Sequence, residues 1–486
     1  MVVVGAGVGG LAAAIRLQVA GHDVAVLERN TEPGGKLGAR TIDGFTYETG
    51  PSLLTLPSVF EDRFTVAGRS LSDEVDLVRL DPLCRYRFPD DTTLDTRVDP
   101  AATEAGIERW SPGSGPAWQA FHDRGARVWG VAQRTFFAGP MDAPRELLGR
   151  LRAPRDLRTI DGVRTLHGRA TRTFSDPRLV QYVDRYATYS GSSPFAAPAT
   201  LACIPYLEQA HGVWYTRGGL GALGEALART ATASGVDLRL GAEVTAVETA
   251  GDRVTGVHTA HGERLAADIV VANADAHHLY TDLLPDQPAR RRADRAPRSS
   301  SGFVLLIGVD GRTPRLAHHN VAFPTDYAGE FTDLFERRRP VADPAVYVGC
   351  SAVTDPGQAP GGAENWFVLV NAPAGGPTNW EREADHYRDH LLEILVQRGW
   401  DLGGRIRHVA VITPADIAER YRSTGGSIYG TSSHGRRAAF LRPGNRGPKR
   451  GLYLVGGSSH PGGGLPLVAL SGRIVADLVA EDLAVS

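Results

Sequence analysis

The chain has 486 residues, a formal net charge of -2 at neutral pH and a hydrophobic fraction of 42%. This length exceeds what one hydrophobic core usually supports, so we expect two domains or one bilobal unit. The balanced charge excludes a strongly basic nucleic-acid-binding surface, and we expect no nucleic-acid partner.

The cysteines and the apolar segments suggest where the protein works. Three widely spaced cysteines favour neither a disulfide framework nor a metal site, and they fit a reducing, cytoplasmic setting. The apolar start lacks the positive charge of a signal peptide. No stretch approaches the roughly 20 uninterrupted apolar residues that a membrane-spanning helix requires. Any membrane contact is therefore expected to be peripheral.

The first 30 residues predict a βαβ unit, with a strand at 2–4, a helix at about 9–20 and a strand at 24–27 that ends at Glu28. The pattern Gly5-x-Gly7-x-x-Gly10 lies between the first strand and the helix, which is the context of a dinucleotide-binding turn. Gly5 permits the tight turn, Gly7 lets the backbone approach a pyrophosphate, and Gly10 permits close packing. Glu28 is expected to accept hydrogen bonds from a ribose. The predicted site also includes Gly9 and Arg29.

Two further segments follow within 25 residues, Gly34-Gly35-Lys36 and Thr49-Gly50-Pro51-Ser52. A nicotinamide-binding fingerprint requires neither of them. Together with the first turn, they resemble the two-dinucleotide-binding-domain flavoproteins of the amine oxidase superfamily. The resemblance implies that FAD is bound and that the segments at 34–36 and 50–52 lie along it. Lys36 stands where many members carry arginine, and the alternative for this residue is a solvated surface charge.

A second glycine pattern, Gly219-x-Gly221-x-x-Gly224, also matches the dinucleotide motif and is followed by Glu243. The segment before it, 212–217, does not read as a buried parallel strand, so we interpret the pattern as a helix start that supports the first domain. An independent NAD site is the alternative. By resemblance, backbone near Val244 meets the adenine, and Asn273 belongs to the cofactor site.

The C-terminal region predicts a strand at 452–455, a glycine-rich loop at 456–464 and a helix at about 466–482. The loop and the residues after it resemble the C-terminal signature of the bacterial phytoene desaturases and other carotenoid desaturases, and the resemblance covers nearly the whole chain. It implies that backbone N–H groups here meet the flavin. The predicted contacts are Gly457, Gly464, Leu465 and Pro466.

The resemblance implies an α/β fold: a two-lobed flavoprotein with a Rossmann-type FAD-binding domain and an interwoven mixed α+β substrate domain. We assign residues 1–70, 210–275 and 437–486 to the FAD-binding domain. The substrate domain is expected to contain residues 71–209, a helix-rich block, and residues 276–436.

The implied function is FAD-dependent desaturation of a carotenoid precursor such as phytoene. A hydride would pass to flavin N5, with loss of a proton from the adjacent carbon. No catalytic triad, carboxylate pair or metal site stands out, and the pairs at 277–278 and 318–319 lack credible metal partners, so the chemistry is expected to belong to the cofactor. His460 is the candidate polar residue beside the flavin. The alternative is a structural histidine that bonds the glycine-rich loop.

A carotenoid substrate dissolves in a bilayer, so the resemblance also implies contact with a membrane. The segment 136–158, which starts with Phe136-Phe137, mixes apolar residues with arginines in the manner of an interfacial helix. An ordinary surface helix is the alternative. We expect a cytoplasmic protein at the inner face of the membrane, reoxidised by quinone or oxygen.

Other activities fit the same scaffold. The motifs are as close to hydroxycarotenoid 3,4-desaturases as to phytoene desaturases, and related proteins isomerise or oxidise carotenes. Amine oxidases and protoporphyrinogen oxidases share the scaffold but not the C-terminal signature. Prenyl-lipid carriers that regulate small GTPases share it without flavin, whereas the intact glycine pattern here favours flavin binding.

Overall fold

The computed structural model describes residues 1–141, 144–435 and 442–485. The β-strands among these residues are β1 Val2–Val4, β2 Ala25–Glu28, β3 Ala39–Ile42, β4 Phe45–Glu48, β5 Leu77–Arg79, β6 Cys84–Arg87, β7 Thr93–Thr96, β8 Trp214–Thr216, β9 Asp237–Leu240, β10 Val244–Ala250, β11 Arg253–Thr259, β12 Arg264–Ala266, β13 Val270–Ala272, β14 Ser301–Val309, β15 His319–Ala322, β16 Val346–Cys350, β17 Glu364–Ala372, β18 Ile406–Ile412 and β19 Leu452–Leu454. The α-helices are α1 Val8–Val19, α2 Pro57–Thr65, α3 Leu71–Glu74, α4 Pro100–Trp110, α5 Gly115–Thr135, α6 Pro144–Arg150, α7 Pro154–Ile160, α8 Leu166–Thr173, α9 Pro177–Asp184, α10 Ile204–His211, α11 Gly221–Ala233, α12 Ala276–His278, α13 Gln287–Arg295, α14 Tyr327–Thr332, α15 Trp380–Gln397, α16 Pro414–Tyr421 and α17 Leu465–Ala484. None of these described helices has the length and apolar composition needed to cross a membrane.

A five-stranded parallel sheet organises the first lobe. Its strand order is β19-β13-β1-β2-β9, and Val3 in the central strand pairs with Val26 on one side and Val271 on the other. Helices α1, α11 and α17 cover one face, and the antiparallel strands β10, β11 and β12 cover the other. Because both faces are covered, the central strand is apolar throughout, as its three valines predict.

Segments from both ends of the chain meet in this lobe. The helix predicted at 9–20 is Val8–Val19, and the one predicted at 466–482 is Leu465–Ala484. These two helices pack closely, since a Cβ placed on Gly472 would lie 2.8 Å from the Cβ of Ala12. The predicted Rossmann-type α/β unit is confirmed.

A seven-stranded mixed sheet organises the second lobe, with the order β18-β14-β17-β16-β15-β6-β7. Strands β14 and β17 pair antiparallel along their whole length, from Ser301 opposite Ala372 to Val309 opposite Glu364. A large apolar core, rich in aromatic side chains, packs on this sheet. The second lobe therefore presents a stiff, largely apolar surface.

The prediction of a helix-rich block at 71–209 was wrong at its start. Strands β5, β6 and β7 lie there, and β6 and β7 complete the seven-stranded sheet. In β6 the side chains of Cys84 and Tyr86 are buried, while Arg85 and Arg87 are partly exposed. This alternation is typical of a half-buried strand. It spans only four residues, two of which are arginines, so the pattern is too short to predict the strand from the sequence.

Short antiparallel pairings lie outside the two large sheets. Strand β8, in the segment that was expected not to form a parallel strand, pairs antiparallel with β5. Residue Leu54 also forms a bridge with Trp214. The predicted domain boundary at 436/437 lies outside the described residues.

Candidate functional site

The turn between β1 and α1 leaves room for a ligand next to the backbone. Gly5 has a φ of +97°, and its N–H donates to the carbonyl oxygen of Leu27 at 2.7 Å. A Cβ on Gly10 would lie 2.1 Å from the carbonyl oxygen of Gly5. Gly7 caps α1 without any side-chain hydrogen bond. The first N–H groups of α1 therefore lack a side-chain partner, and such a helix end attracts anions.

Glu28 holds this turn from the neighbouring strand. One of its carboxylate oxygens accepts the N–H of Ala6 at 2.8 Å, and the other accepts the backbone N–H of Asn30 at 2.9 Å and its side-chain amide at 2.7 Å. Glu28 is almost fully buried and also lines the cavity described below. The residue predicted to meet a ribose thus also fixes the shape of the glycine turn.

Asn273 is the residue around which the glycines pack. Its side-chain amide donates to the carbonyl oxygen of Gly5 at 3.3 Å. A Cβ on Gly9 would lie 2.9 Å from Asn273 Oδ1, and one on Gly456 would lie 2.6 Å from the same atom. The cavity wall, as far as the structure describes it, does not include Gly9 or Gly10. These two predicted cofactor residues lie behind the wall and make space for Asn273.

The C-terminal loop forms a second helix end of the same kind. Gly464, with a φ of +109°, caps α17 without a side-chain hydrogen bond, and Pro466 occupies its first turn. The N–H of Gly456 donates to Ser471 Oγ at 2.9 Å, which ties the start of the loop to α17. The N-terminal ends of two helices, from opposite ends of the chain, therefore meet one space.

That space is one continuous cavity of about 480 Å³. It joins the two helix ends to the surface of the seven-stranded sheet. The predicted cofactor residues on its wall are Gly5, Gly7, Glu28, Arg29, Gly35, Lys36, Gly50, Pro51, Ser52, Val244, Asn273, Gly457, Gly464, Leu465 and Pro466.

The chain matches the family model described as flavin containing amine oxidoreductase over residues 8–480. The chain belongs to the flavin-containing amine oxidoreductase family. It is similar to three curated relatives over almost its whole length. It is 36% identical to a 4,4'-diapolycopene oxygenase of Methylomonas sp, over 99% of this chain and 98% of that protein. It is 36% identical to a zeta-carotene-forming phytoene desaturase of Myxococcus xanthus, over 98% of this chain and 93% of that protein. It is 38% identical to a hydroxyneurosporene desaturase of Cereibacter sphaeroides, over 100% and 98%.

These relatives confirm the resemblance to the carotenoid desaturases. Solved structures confirm the fold. An oxidoreductase from Methanosarcina mazei superposes with a TM-score of 0.66 at 18% identity, covering 98% of this chain and 99% of that one. A putrescine oxidase superposes with a TM-score of 0.63 at 16% identity, covering 99% and 98%.

This flavin-containing amine oxidoreductase is an FAD-dependent enzyme, and its cradle fits the cofactor. At Gly50 a Cβ would lie 1.9 Å from the carbonyl oxygen of Lys36, so the backbone segments on the wall pack without side chains between them. The N-terminus of α1 at Gly7 would hold the pyrophosphate. The loop that ends at Gly464 would meet the flavin ring system.

Lys36 is one of the positively charged residues on the cavity wall. Its Nζ donates to the carbonyl oxygen of Ile428 at 2.5 Å and lies 5.7 Å from the centre of the Tyr421 ring. Burial lowers the pKa of Lys36 to about 8, against the opposing effect of Asp275. The alternative of a solvated surface lysine is wrong.

His460 lies away from the cavity wall, contrary to its prediction as the polar residue beside the flavin. Its Nε2 hydrogen bonds to the carbonyl oxygen of Gly139 at 3.1 Å, and its own carbonyl oxygen accepts the side-chain amide of Asn445 at 2.9 Å. Burial lowers its pKa to about 4. His460 therefore holds the glycine-rich loop in place, which is the structural alternative given above.

The second half of the cavity is lined by the seven-stranded sheet and by α10, and it is mainly apolar. Side chains on β14, β15 and β17 form the sheet side, and α10 contributes two apolar residues and the carboxyl group of Glu208. The apolar residues on this side are Val304, Val321, Phe367, Leu369, Ile204 and Leu207. The cofactor cradle thus opens directly onto a surface suited to hydrocarbon.

His319, which belongs to the histidine pair expected to lack metal partners, lies on this wall. Its Nδ1 hydrogen bonds to the hydroxyl of Tyr347 at 2.7 Å, and that hydroxyl lies 2.5 Å from Ser52 Oγ in the cradle. Its Nε2 is buried and has no hydrogen-bond partner among the described residues. Burial lowers the pKa of His319 well below its ordinary value, so the ring is neutral at pH 7.

The neighbouring His318 precedes β15, and its ring packs edge-on against that of His319, with ring centres 4.5 Å apart. Its Nδ1 hydrogen bonds to Thr354 Oγ1 at 2.8 Å, and it does not line this cavity. No group of three or more His, Cys, Asp or Glu side chains in the described part of the chain is arranged to hold a metal ion. The sequence shows the histidine pair, but only the sheet shows which histidine faces the cavity.

The lowered pKa of Lys36 predicts a pH dependence of FAD binding. A nearby pyrophosphate favours the protonated lysine, so FAD binding takes up a proton once the pH exceeds the free-protein pKa of about 8. We expect the FAD dissociation constant to rise several-fold between about pH 7 and about pH 9. Fluorescence titration of the apoprotein with FAD measures it. In Lys36→Met the affinity should be weaker and flat over this range, and an unchanged slope would contradict the role of Lys36.

Proposed function

We propose that this chain dehydrogenates a long acyclic isoprenoid of the carotenoid type and forms a new carbon–carbon double bond. The observation that carries the proposal is the continuous cavity, in which the glycine-rich cofactor wall joins an apolar wall from the second lobe. A polyene precursor is stabilised by leaving water for such a wall. The names of the phytoene desaturase and hydroxyneurosporene desaturase relatives support the same class of reaction.

FAD, when bound, supplies the acceptor for the hydride that leaves one carbon of the substrate. The protein's own part is to orient the chain, exclude water and take the proton from the adjacent carbon. We take His319 as the proton acceptor, because its ring is neutral, its Nε2 has no partner among the described residues, and the residue lines the cavity. In this role Nδ1–H donates to the Tyr347 oxygen, and the Tyr347 hydroxyl donates to Ser52 Oγ. A weak base is sufficient because conjugation in the substrate stabilises the developing positive charge.

The reaction is tested with purified holoenzyme and substrate in liposomes under anaerobic conditions. We expect the flavin absorbance to bleach on addition of phytoene or of a 1-hydroxycarotenoid, together with new polyene bands at longer wavelength. The substrate that responds distinguishes a phytoene desaturase from a hydroxycarotenoid 3,4-desaturase. Oxygenated products formed in air would favour the terminal oxidation named for the Methylomonas relative. A yellow protein that is inert to both substrates would contradict the proposal.

The adjacent buried histidines provide a matched pair of variants. His319→Gln removes the proposed proton acceptor, and we expect kcat to fall on the order of 100-fold with FAD content unchanged. His318→Gln changes the buried histidine that packs on His319 without lining the cavity, so the loss of kcat should be much smaller, within about threefold of the wild-type value. Stopped-flow measurement of flavin reduction checks both. Equal effects of the two variants would contradict the role of His319.

The proposed function also requires contact with a lipid surface, and the segment predicted for it partly supports this. Phe136 and Phe137 pack against the buried cluster that includes Trp129 and are not the outermost apolar groups. Leu148 and Leu157 are 60% and 48% exposed. They are interspersed with the exposed arginines Arg145, Arg152, Arg155 and Arg158. Residues 142–143 of the predicted segment lie outside the described residues.

We place this amphipathic surface, residues 144–160, against the inner face of the cell membrane, where anionic lipid would attract the arginines. Quinone in the same membrane, or oxygen, would reoxidise the enzyme. Leu148→Ser with Leu157→Ser should reduce co-sedimentation with anionic liposomes at least about fivefold. The control is Val396→Ser, a 51% exposed valine on α15, which should leave co-sedimentation unchanged. Equal binding of all three proteins would exclude this surface.

A further inference from the structure

Arg185 brings a positive charge to the mainly apolar half of the cavity. It follows α9 directly and begins the short helical turn at 185–190. Its side chain lines the cavity together with Tyr189, whose ring centre lies 5.9 Å from the guanidinium carbon. A purely hydrocarbon ligand offers no hydrogen-bond acceptor to a cation at this position.

The guanidinium of Arg185 has no hydrogen bond and no salt bridge to any residue in the described part of the chain. Arg442 shows how the fold treats a buried arginine with a structural role. The Arg442 guanidinium donates to the carbonyl oxygens of Tyr429, Gly457 and Thr431 at 2.6–3.2 Å. An arginine carries five N–H donors, and those of Arg185 belong to a partly exposed side chain that lines the cavity. The donors of Arg185 are therefore free for a ligand.

Two buried carboxyl groups favour the charge of Arg185 without contacting it. Burial raises the pKa of Glu208 and raises that of Glu330 to about 7, and Arg185 is among the groups that oppose both effects. The oxygens of Glu208 accept the hydroxyls of Tyr186 and Tyr189 at 2.7 and 2.6 Å. The two carboxyls thus stabilise the cation, but their hydrogen bonds are made with other groups.

Asn371 adds an acceptor to the same part of the cavity. Its side-chain NH₂ donates to Glu330 at 2.8 Å, and the other oxygen of Glu330 accepts the N–H of Ala345 at 2.7 Å. Asn371 lines the cavity, and its Oδ1 has no hydrogen-bond partner among the described residues. A guanidinium donor and an amide acceptor together match a hydroxyl group. The guanidinium alone matches a carbonyl oxygen.

We propose that Arg185 and Asn371 form a subsite for an oxygen-bearing end group of the substrate, a hydroxyl or a carbonyl. The inference rests on the proposed function, since it takes the occupant of the cavity to be a long isoprenoid. Both residues belong to the helical region and the seven-stranded sheet, not to the glycine-rich cofactor cradle. The substrate is then an oxygenated polyene, and an unmodified hydrocarbon binds less tightly because it leaves the guanidinium unpaired.

Equilibrium binding tests the subsite without depending on turnover. Holoenzyme is titrated with lycopene, its terminal alcohol and its terminal aldehyde in detergent micelles, and quenching of protein fluorescence gives each dissociation constant. We expect the wild type to bind both oxygenated polyenes about 10- to 100-fold more tightly than lycopene. Arg185→Met should remove this preference, and Arg185→Lys should keep part of it. Asn371→Leu should weaken binding of the alcohol but not of the aldehyde.

Arg172→Met is the control, because Arg172 is an exposed arginine on α8 in the same lobe. It should keep the wild-type preference. Equal affinity of the wild type for lycopene and the oxygenated polyenes would overturn the subsite, as would an unchanged preference in Arg185→Met. Turnover is followed in the same samples. A retained binding preference without any polyene product would contradict the proposed reaction while supporting the subsite.

Discussion

The structure depends on one constraint: the N-terminal ends of two helices must approach one ligand with backbone rather than side chains. Helix α1 meets the cavity at Gly7 and helix α17 meets it at Gly464, and neither cap carries a side-chain hydrogen bond. Asn273 packs against both glycine-rich loops, since it fills the space that Cβ atoms on Gly9 and Gly456 would occupy. The parallel sheet keeps this arrangement in place, because β1, β13 and β19 are neighbours. A dinucleotide with a dianionic pyrophosphate suits the resulting concentration of unpaired N–H groups.

The second lobe supplies a mainly apolar wall, which the cofactor cradle lacks. Its seven-stranded sheet carries this wall, so it can orient a long isoprenoid next to the cofactor cradle. Ser52 connects the two halves, since its hydroxyl lies in the cradle and contacts Tyr347, which in turn contacts His319 on the sheet. One chain of hydrogen bonds therefore runs from the cofactor cradle to the only histidine that the described cavity wall shows with an unpartnered, buried ring nitrogen.

Buried polar groups separate structural from functional roles in this protein. His460 and Arg442 are buried, and both bond to backbone carbonyl oxygens, so they stabilise the C-terminal loops. His319 lines the cavity with a buried Nε2 that has no partner among the described residues, and Arg185 lines it as a partly exposed side chain. Burying a polar group without a partner is unfavourable in folding, so such groups are expected where a ligand completes them. The same distinction explains why His460, although it lies in the glycine-rich signature, has a structural role and does not line the cavity.

The sequence by itself determined the FAD-binding lobe and most of the cofactor wall. These features depend on local backbone geometry, and residues such as Gly5, Gly7 and Glu28 lie within one βαβ unit whose spacing is visible in the chain. Only the tertiary structure decided the substrate side. Arg185, His319 and Asn371 come from three distant segments, and whether their side chains face the cavity depends on strand register and on the packing of α9 against the sheet. A histidine pair or a lone arginine looks the same in sequence whichever way it points, because orientation is set by long-range contacts.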